Sequence, residues 1–139
     1  MVGLLVLFAN IFVRSEIVQR VAYLILILGA LATIPAFFTG EGAEEVVEEM
    51  AGITKDIIHE HEETAETFAI LSYILGAFSL LGLWANLKRK SFSVWLGYLI
   101  FAFGFVVLVF AQQTGTTGGE IRHSEIRDGF DISKETKAD

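Results

Sequence analysis

The main constraint on this chain is a set of three apolar stretches, each about as long as a membrane-spanning helix. They cover residues 21–39, 67–87 and 92–111, and none of them contains an acidic or a basic side chain. A helix of about 20 apolar residues crosses the ~30 Å hydrocarbon layer of a bilayer. Only helices and closed barrels satisfy all their backbone hydrogen bonds inside that layer. The sequence therefore predicts an all-α integral membrane protein whose spans contact the lipid bilayer.

A fourth apolar stretch, residues 2–13, is too short to cross a bilayer by itself. It has neither the basic residues before it nor the small-x-small site after it that a signal peptide needs. We interpret it as a truncated first helix, with Met1 as an internal methionine of a longer reading frame. The expected fold is a helical bundle with three full transmembrane helices plus a short N-terminal helical segment. Residues 1–126 form this single domain, and residues 127–139 form a polar C-terminal tail.

Charge and composition exclude several classes of function. A net charge of -7 argues against a nucleic-acid partner, which would require a basic patch. The absence of cysteine excludes disulfides, thiolate nucleophiles and covalently attached c-type haem. The carboxylates form no acid–base pair at a defined spacing, and residues 114–119 match neither a P-loop nor a dinucleotide fingerprint. No catalytic residue is predicted, which favours a protein that is not an enzyme without excluding an enzymatic role.

Small residues recur at helical spacing along two of the predicted spans. Within residues 67–87 they are three or four positions apart, and in the next span two glycines lie seven apart. Such stripes let another helix approach closely. The predicted helix-packing residues are Ser72, Gly76, Ser79, Gly97 and Gly104. Extended backwards, the first stripe reaches His61, which is therefore expected to point into the bundle, while His59 points to water.

The polar connections are also predicted from their patterns. Residues 41–66 combine carboxylates with apolar residues at helical spacing, which predicts an acidic amphipathic helix along the outer membrane surface, after a span that ends at Thr39-Gly40. Such an acidic surface would attract cations or a basic partner domain. The glycine-rich residues 114–119 predict a tight re-entry that folds residues 121–123 back over the helix ends.

Basic residues set the expected orientation. Arg14 and Arg20 lie on the same side of the membrane as residues 88–90, which are all basic. By the positive-inside rule this side is cytoplasmic. The chain is thus expected to be a multi-pass protein of the inner (cytoplasmic) membrane, with its acidic connection and its C-terminus on the periplasmic side. All three histidines then lie on that outer side.

His61 and His123 are the leading candidates for a functional site. Imidazoles held on different helices can bind haem iron, copper or zinc, so haem b or Cu/Zn is the expected cofactor. Glu62 and Glu120 could complete the site or orient an imidazole, and His59 is a further candidate. The alternative stays open that His61 only packs between helices while His123 forms a hydrogen bond in a loop.

Three stretches together resemble the DUF2231 family of small predicted membrane proteins. They are Thr39-Gly40 at the end of a span, the acidic segment with His61 before the next span, and TGTTGGEIRHSEI at residues 114–126. The resemblance implies four membrane helices and an association with c-type cytochrome domains, which favours a haem or metal role. The family's HP…HFP-like histidine motif at the start of its first helix is missing from this sequence.

Two hypotheses for function follow. The first is a small membrane subunit that binds haem or a transition metal near the outer face, for electron transfer or metal handling, with a redox or cytochrome partner. The second is a cofactor-free accessory subunit that docks partners through the small residues of the span at 67–87. A homo-oligomer is expected in either case, because a short first helix leaves the bundle incomplete.

Overall fold

The computed structural model describes residues 1–48 and 55–122, and this part of the chain consists of helices and short turns. In chain order these are α1 (Val2–Val13), α2 (Glu16–Glu48), α3 (Lys55–Leu87) and α4 (Ser93–Arg122). Three of the four helices are long and apolar enough to cross a membrane, and α1 is not. The predicted all-α bundle with three full-length helices and one short helix is confirmed.

Neighbouring helices run antiparallel. The arrangement is evident from side chains that meet across helices, such as Arg20 with Asn86 and His61 with Thr117. Helix α1 packs on α2 and, less extensively, on α4. The two turns at residues 14–15 and 88–92 lie at one end of the bundle, called here the basic end. The start of α3 and the end of α4 form the opposite end, called here the histidine end.

The helices extend well past their apolar parts, which corrects two predictions. Helix α2 does not stop at Thr39-Gly40 but continues to Glu48, and residues 55–66 are the first turns of α3. These described parts of the acidic connection therefore prolong α2 and α3 and do not form a separate surface helix; residues 49–54 lie outside the described residues. The predicted re-entry at 114–119 is also wrong, since α4 continues to Arg122.

The last turns of α4 contain glycines and threonines, and contacts of two threonines with α3 hold them. A glycine costs a helix about 1 kcal/mol relative to alanine. Thr114, Thr116 and Thr117 each donate a hydroxyl hydrogen bond to the backbone oxygen four residues earlier, over 3.0 to 3.2 Å. Two of these threonines also contact α3, as described below. The last turns of α4 are thus held by tertiary contacts that the local composition does not reveal.

The centre of the bundle is packed around Tyr23 and Ile100, whose side chains are fully buried. Small residues make this close packing possible. A Cβ atom on Gly82 would lie 2.7 Å from Ile100 and 2.9 Å from Tyr23, and one on Gly97 would lie 2.6 Å from the amide of Gln19. Glycines 76 and 104 are similarly closed off, by Ala30 and by Leu4.

The small-residue stripe of α3 therefore packs inside this chain. Ser72, Gly76 and Ser79 are all buried, and Gly76 faces α2 through Ala30. A stripe that is already covered by the chain's own helices does not offer a surface to another protein. The hypothesis that partners dock through this stripe is not compatible with the folded bundle.

Removing one buried hydroxyl tests this packing. Ser79 is fully buried, and within the described part of the chain its Oγ has no hydrogen-bond partner. An unpaired buried hydroxyl costs about 1–3 kcal/mol, so we expect Ser79→Ala to leave the free energy of unfolding unchanged or to raise it by about 1 kcal/mol. Denaturant unfolding in detergent measures this change. A loss of more than about 1 kcal/mol would mean that the hydroxyl is paired.

Candidate functional site at the histidine end

His61 lies near the start of α3 and faces α4. Its side chain is half-buried, and Nδ1 lies 3.0 Å from the hydroxyl of Thr117. His59, two residues earlier, has a side chain that is 70% exposed. The two imidazoles therefore lie on different sides of the helix. Their placement agrees with the helical spacing, which predicts that His61 points into the bundle.

Three threonines form a hydroxyl cluster around the imidazole of His61. The hydroxyl of Thr64 lies 3.1 Å from that of Thr117 and donates to the backbone oxygen of His61 over 2.9 Å. Thr114 donates to the backbone oxygen of Thr64 over 3.1 Å. The cluster ties the first turns of α3 to the last turns of α4, and it holds the His61 ring in one orientation.

The hydroxyl protons of this cluster determine which ring nitrogen of His61 is left available. Thr117 donates its proton to the backbone oxygens of Gln113 and Thr114, both 3.2 Å away. When Nδ1 of His61 donates to the Thr117 oxygen, 3.0 Å away, Nδ1 carries the ring proton. In this tautomer the lone pair lies on Nε2. Within residues 1–48 and 55–122, Nε2 has no hydrogen-bond partner.

Gly118 makes room for the ring. A Cβ atom at this position would lie 3.0 Å from Cε1 of His61, which is tighter than ordinary contact. Glycine therefore allows the imidazole to lie against the backbone of α4. This is a role in packing, since Gly118 is helical and takes no unusual backbone conformation.

His59 belongs to a separate, solvent-exposed group. Its Nδ1 lies 3.5 Å from a carboxylate oxygen of Glu62, and its Nε2 lies 3.4 Å from one of Glu63. All three side chains are more than half exposed. Such pairs at spacings of three and four residues stabilise a helix only slightly. Glu62 thus interacts with His59 in this structure, although the sequence predicts it as support for His61.

The remaining predicted ligands are less well defined. Glu120 is partly buried and lies three residues after Thr117 on α4, a spacing that places residues on one helix face. His123 lies outside the described residues. Among the residues that the structure describes, no group of three or more histidine, aspartate or glutamate side chains could hold a metal ion. The described part of the site therefore contributes one oriented imidazole.

Sequence reasoning missed the threonines. Thr114 and Thr117 are three residues apart, which is a helical spacing. The glycines around them, however, favour a re-entrant turn at this point of the sequence. Had α4 been extended by one and a half turns past its apolar part, both would have fallen on one face. Their partners on α3 are more than 50 positions away in the sequence, so spacing alone could not have identified them.

A second polar network lies at the basic end and was also missed. Asn86, which is 4% exposed, accepts a hydrogen bond from Arg20 over 2.6 Å and donates one to Gln19 over 2.9 Å. Gln19 in turn donates to the hydroxyl of Tyr23 over 2.8 Å. Arg20 also forms an ion pair with Glu16 at 3.0 Å. This network joins α2 to α3 beside the core.

The fold and composition define the class of this protein as a multi-pass α-helical membrane protein. Comparison of the chain with protein-family models, with curated proteins and with solved structures finds no match.

Proposed function

We propose that this protein is a small membrane subunit that binds haem iron or a transition metal at its histidine end, through Nε2 of His61. Its role would be electron transfer or metal handling. The observation that carries the proposal is the hydrogen bond between Nδ1 of His61 and Thr117. In this proposal Nδ1 is the donor, which leaves the lone pair on Nε2. Histidines that ligate metals characteristically use their second nitrogen in a bond of this kind, which sets the tautomer and the ring orientation.

The number of donors favours haem over zinc. Zinc sites use three or four protein ligands, whereas a haem iron needs only one or two axial ligands from the protein. The described residues supply one oriented imidazole and no cluster of three ligands. In this proposal His123 would be the second ligand from the protein, and Glu120 would support it. His59 and Glu62, which interact with each other on the exposed side of α3, are not part of the site.

The chain's own residues would orient and shield this ligand. Thr117 holds the ring, Gly118 lets it approach α4, and Thr64 fixes Thr117. The bound iron would supply one-electron chemistry. The positive-inside rule puts the basic end in the cytoplasm, so that in this proposal the site faces the periplasmic side of the inner membrane. A redox partner or a cytochrome would then approach from the periplasmic side. In this proposal the chain also associates with a second copy of itself to form a homo-oligomer.

Metal analysis of detergent-purified protein tests the proposal. We expect iron, or else copper or zinc, at near one equivalent in the wild type, and its loss in His61→Ala and His123→Ala. The matched control is His59→Ala, which removes an imidazole from the same helix but from its exposed side, and which should keep full occupancy. If iron is present, a visible spectrum distinguishes haem from a non-haem site.

The variant Thr117→Val distinguishes a His61 ring that is positioned to bind a metal from one that only packs between helices. Valine keeps the branched shape but removes the hydrogen-bond acceptor of Nδ1. We expect the metal affinity to fall by about tenfold or the reduction potential to shift, as for other changes of a ligand's hydrogen-bond partner. Wild-type protein without metal, or full occupancy in His61→Ala, would contradict the proposal.

A cofactor-free accessory subunit is the second candidate. The observation that favours it is the completeness of the hydroxyl cluster, in which Thr64, Thr114 and Thr117 all have partners without any ligand. Under this hypothesis the cluster joins α3 to α4 and His61 has no further role. Metal-free wild-type protein whose melting temperature falls in His61→Ala would support it.

A further inference from the structure

The search for a second site leads to the basic end, where a cavity of about 560 Å³ opens between the two turns. It is lined by residues of α1, by the turns at 14–15 and 88–92, by the first turn of α2, by the end of α3 and by the first three turns of α4. Its lining combines the cationic residues Arg14, Arg89 and Lys90 with partly exposed apolar residues, Ile11 and Phe101. A cavity that combines cationic and apolar walls fits an anionic amphiphile.

The charge balance of this cavity is positive. Three cationic side chains line it, together with one acid, Glu16. Glu16 is already paired with Arg20, at 3.0 Å. In the described parts of the chain, no carboxylate forms an ion pair with Arg14, Arg89 or Lys90. Within the described residues, the cavity therefore presents cations that no carboxylate neutralises, and the ammonium of Lys90 lies 5.7 Å from the ring centroid of Trp84.

Two of these cations stand at positions that ordinarily favour glycine. Arg14 caps the end of α1 with a φ of 51°, and Arg89 follows the end of α3 with a φ of 50°. A left-handed residue at the end of a helix is usually glycine, because a side chain is disfavoured there. In the described part of the chain, two residues other than glycine have a left-handed backbone conformation. Both are arginines, and both line this cavity.

The base of the cavity is rigid and polar. Asn86 and Ser93 are 4% and 8% exposed, and both line the cavity. The side chain of Asn86 is fixed by its hydrogen bonds to Arg20 and Gln19. Buried polar side chains and cationic side chains in one lining are suited to a compact polar head group.

Neighbouring aromatic residues place the cavity at the level of the lipid head groups. Trp95 and Tyr98 pack edge to face with their ring centroids 6.2 Å apart, and both are exposed. Exposed tryptophan and tyrosine at the end of a span are typical of the membrane–water interface. Tyr98 also lines the cavity. The opening therefore lies where a lipid phosphate would be, with the apolar wall toward the acyl chains.

We propose that this cavity is a binding site for a phospholipid with an anionic head group, whose phosphate is held by Arg14, Arg89 and Lys90 and whose acyl chain lies along Ile11 and Phe101. Arginine and lysine are the usual partners of phosphate groups. Basic pockets between membrane helices are known to bind lipid head groups. The site lies at the opposite end of the bundle from His61, so it does not depend on the proposed metal role.

The test compares lipids on the full-length protein in a neutral detergent, with native mass spectrometry as the readout. We expect phosphatidylglycerol to bind about tenfold more tightly than phosphatidylcholine. The double variant Arg14→Gly/Arg89→Gly should remove that preference. Glycine suits both left-handed positions, so the melting temperature of the lipid-free variant should equal or exceed that of the wild type, and misfolding cannot explain a loss of binding.

Lys88→Gln is the matched control. It removes a positive charge from the same turn, but Lys88 does not line the cavity. A preference for phosphatidylglycerol that persists in Lys88→Gln and disappears in Arg14→Gly/Arg89→Gly would support a built site. Equal binding of the two lipids by the wild type would overturn the proposal. An equal loss of the lipid preference in both variants would also overturn it, because it would indicate that the basic residues serve membrane orientation only. Displacement of the lipid by millimolar inorganic phosphate would overturn the role of the acyl chain.

Discussion

Gly82→Leu is expected to lower the free energy of unfolding by about 3 kcal/mol or more, or to prevent folding altogether. The reason is the packing at the centre of the bundle. The first side-chain atom at this position would lie 2.7 Å from Ile100 and 2.9 Å from Tyr23. Both neighbours are fully buried, so neither can move aside without displacing a helix. Unfolding in detergent, followed by circular dichroism, measures the loss.

The matched control for this change is Gly29→Leu. Gly29 also lies in the middle of an apolar helix, but a Cβ atom there would meet nothing within 4 Å. Leucine is a better helix former than glycine by roughly 1 kcal/mol. We therefore expect Gly29→Leu to leave stability unchanged or to increase it. Equal losses at the two positions would show that the helices around Gly82 are packed differently.

Asn86→Leu is expected to cost about 2–3 kcal/mol of stability, because it leaves a charged donor without its buried partner. Asn86 accepts from Arg20 over 2.6 Å and donates to Gln19 over 2.9 Å. Leucine fills a similar volume but forms neither bond. Arg20, whose side chain is 30% exposed, would keep its ion pair with Glu16 but lose its link to α3. Denaturant titration of the purified protein gives the change in free energy.

A double-mutant cycle shows whether the loss comes from the broken pair. When both partners of a buried hydrogen bond become apolar, the cost is smaller than the sum of the separate losses. We expect Arg20→Leu/Asn86→Leu to be less destabilised than that sum by about 1 kcal/mol or more. Strict additivity would mean that Arg20 and Asn86 do not interact, and it would contradict the network described here.

The helices were predictable because their signal is local. Each of the three long apolar stretches is long enough to require a helix in a membrane, and the shorter α1 covers the predicted residues 2–13. The helix ends were predicted less well. Thr39-Gly40 and the glycines after Thr114 look like stops, yet α2 and α4 continue through them. In α4 the continuation depends on contacts such as Thr114 with Thr64, which lie 50 positions apart.

The candidate site was predictable in part. The orientation of His61 follows from the 3.6-residue period of α3, which also separates His61 from His59. Its hydrogen bond to Thr117 does not follow from any period, because the two residues are 56 positions apart. The cavity at the basic end was not predicted at all. Its basic residues were interpreted only as a signal for membrane orientation.

The sequence by itself determined the class of the protein, the number of long helices and the face of α3 on which His61 lies, because all three depend on hydrophobic length and helical periodicity within one segment. The tertiary structure decided which side chains meet: His61 with Thr117 at one end, and Asn86 with Arg20 and Gln19 at the other. These contacts join different helices. They depend on how the helices are packed against one another, which no local pattern in the sequence specifies.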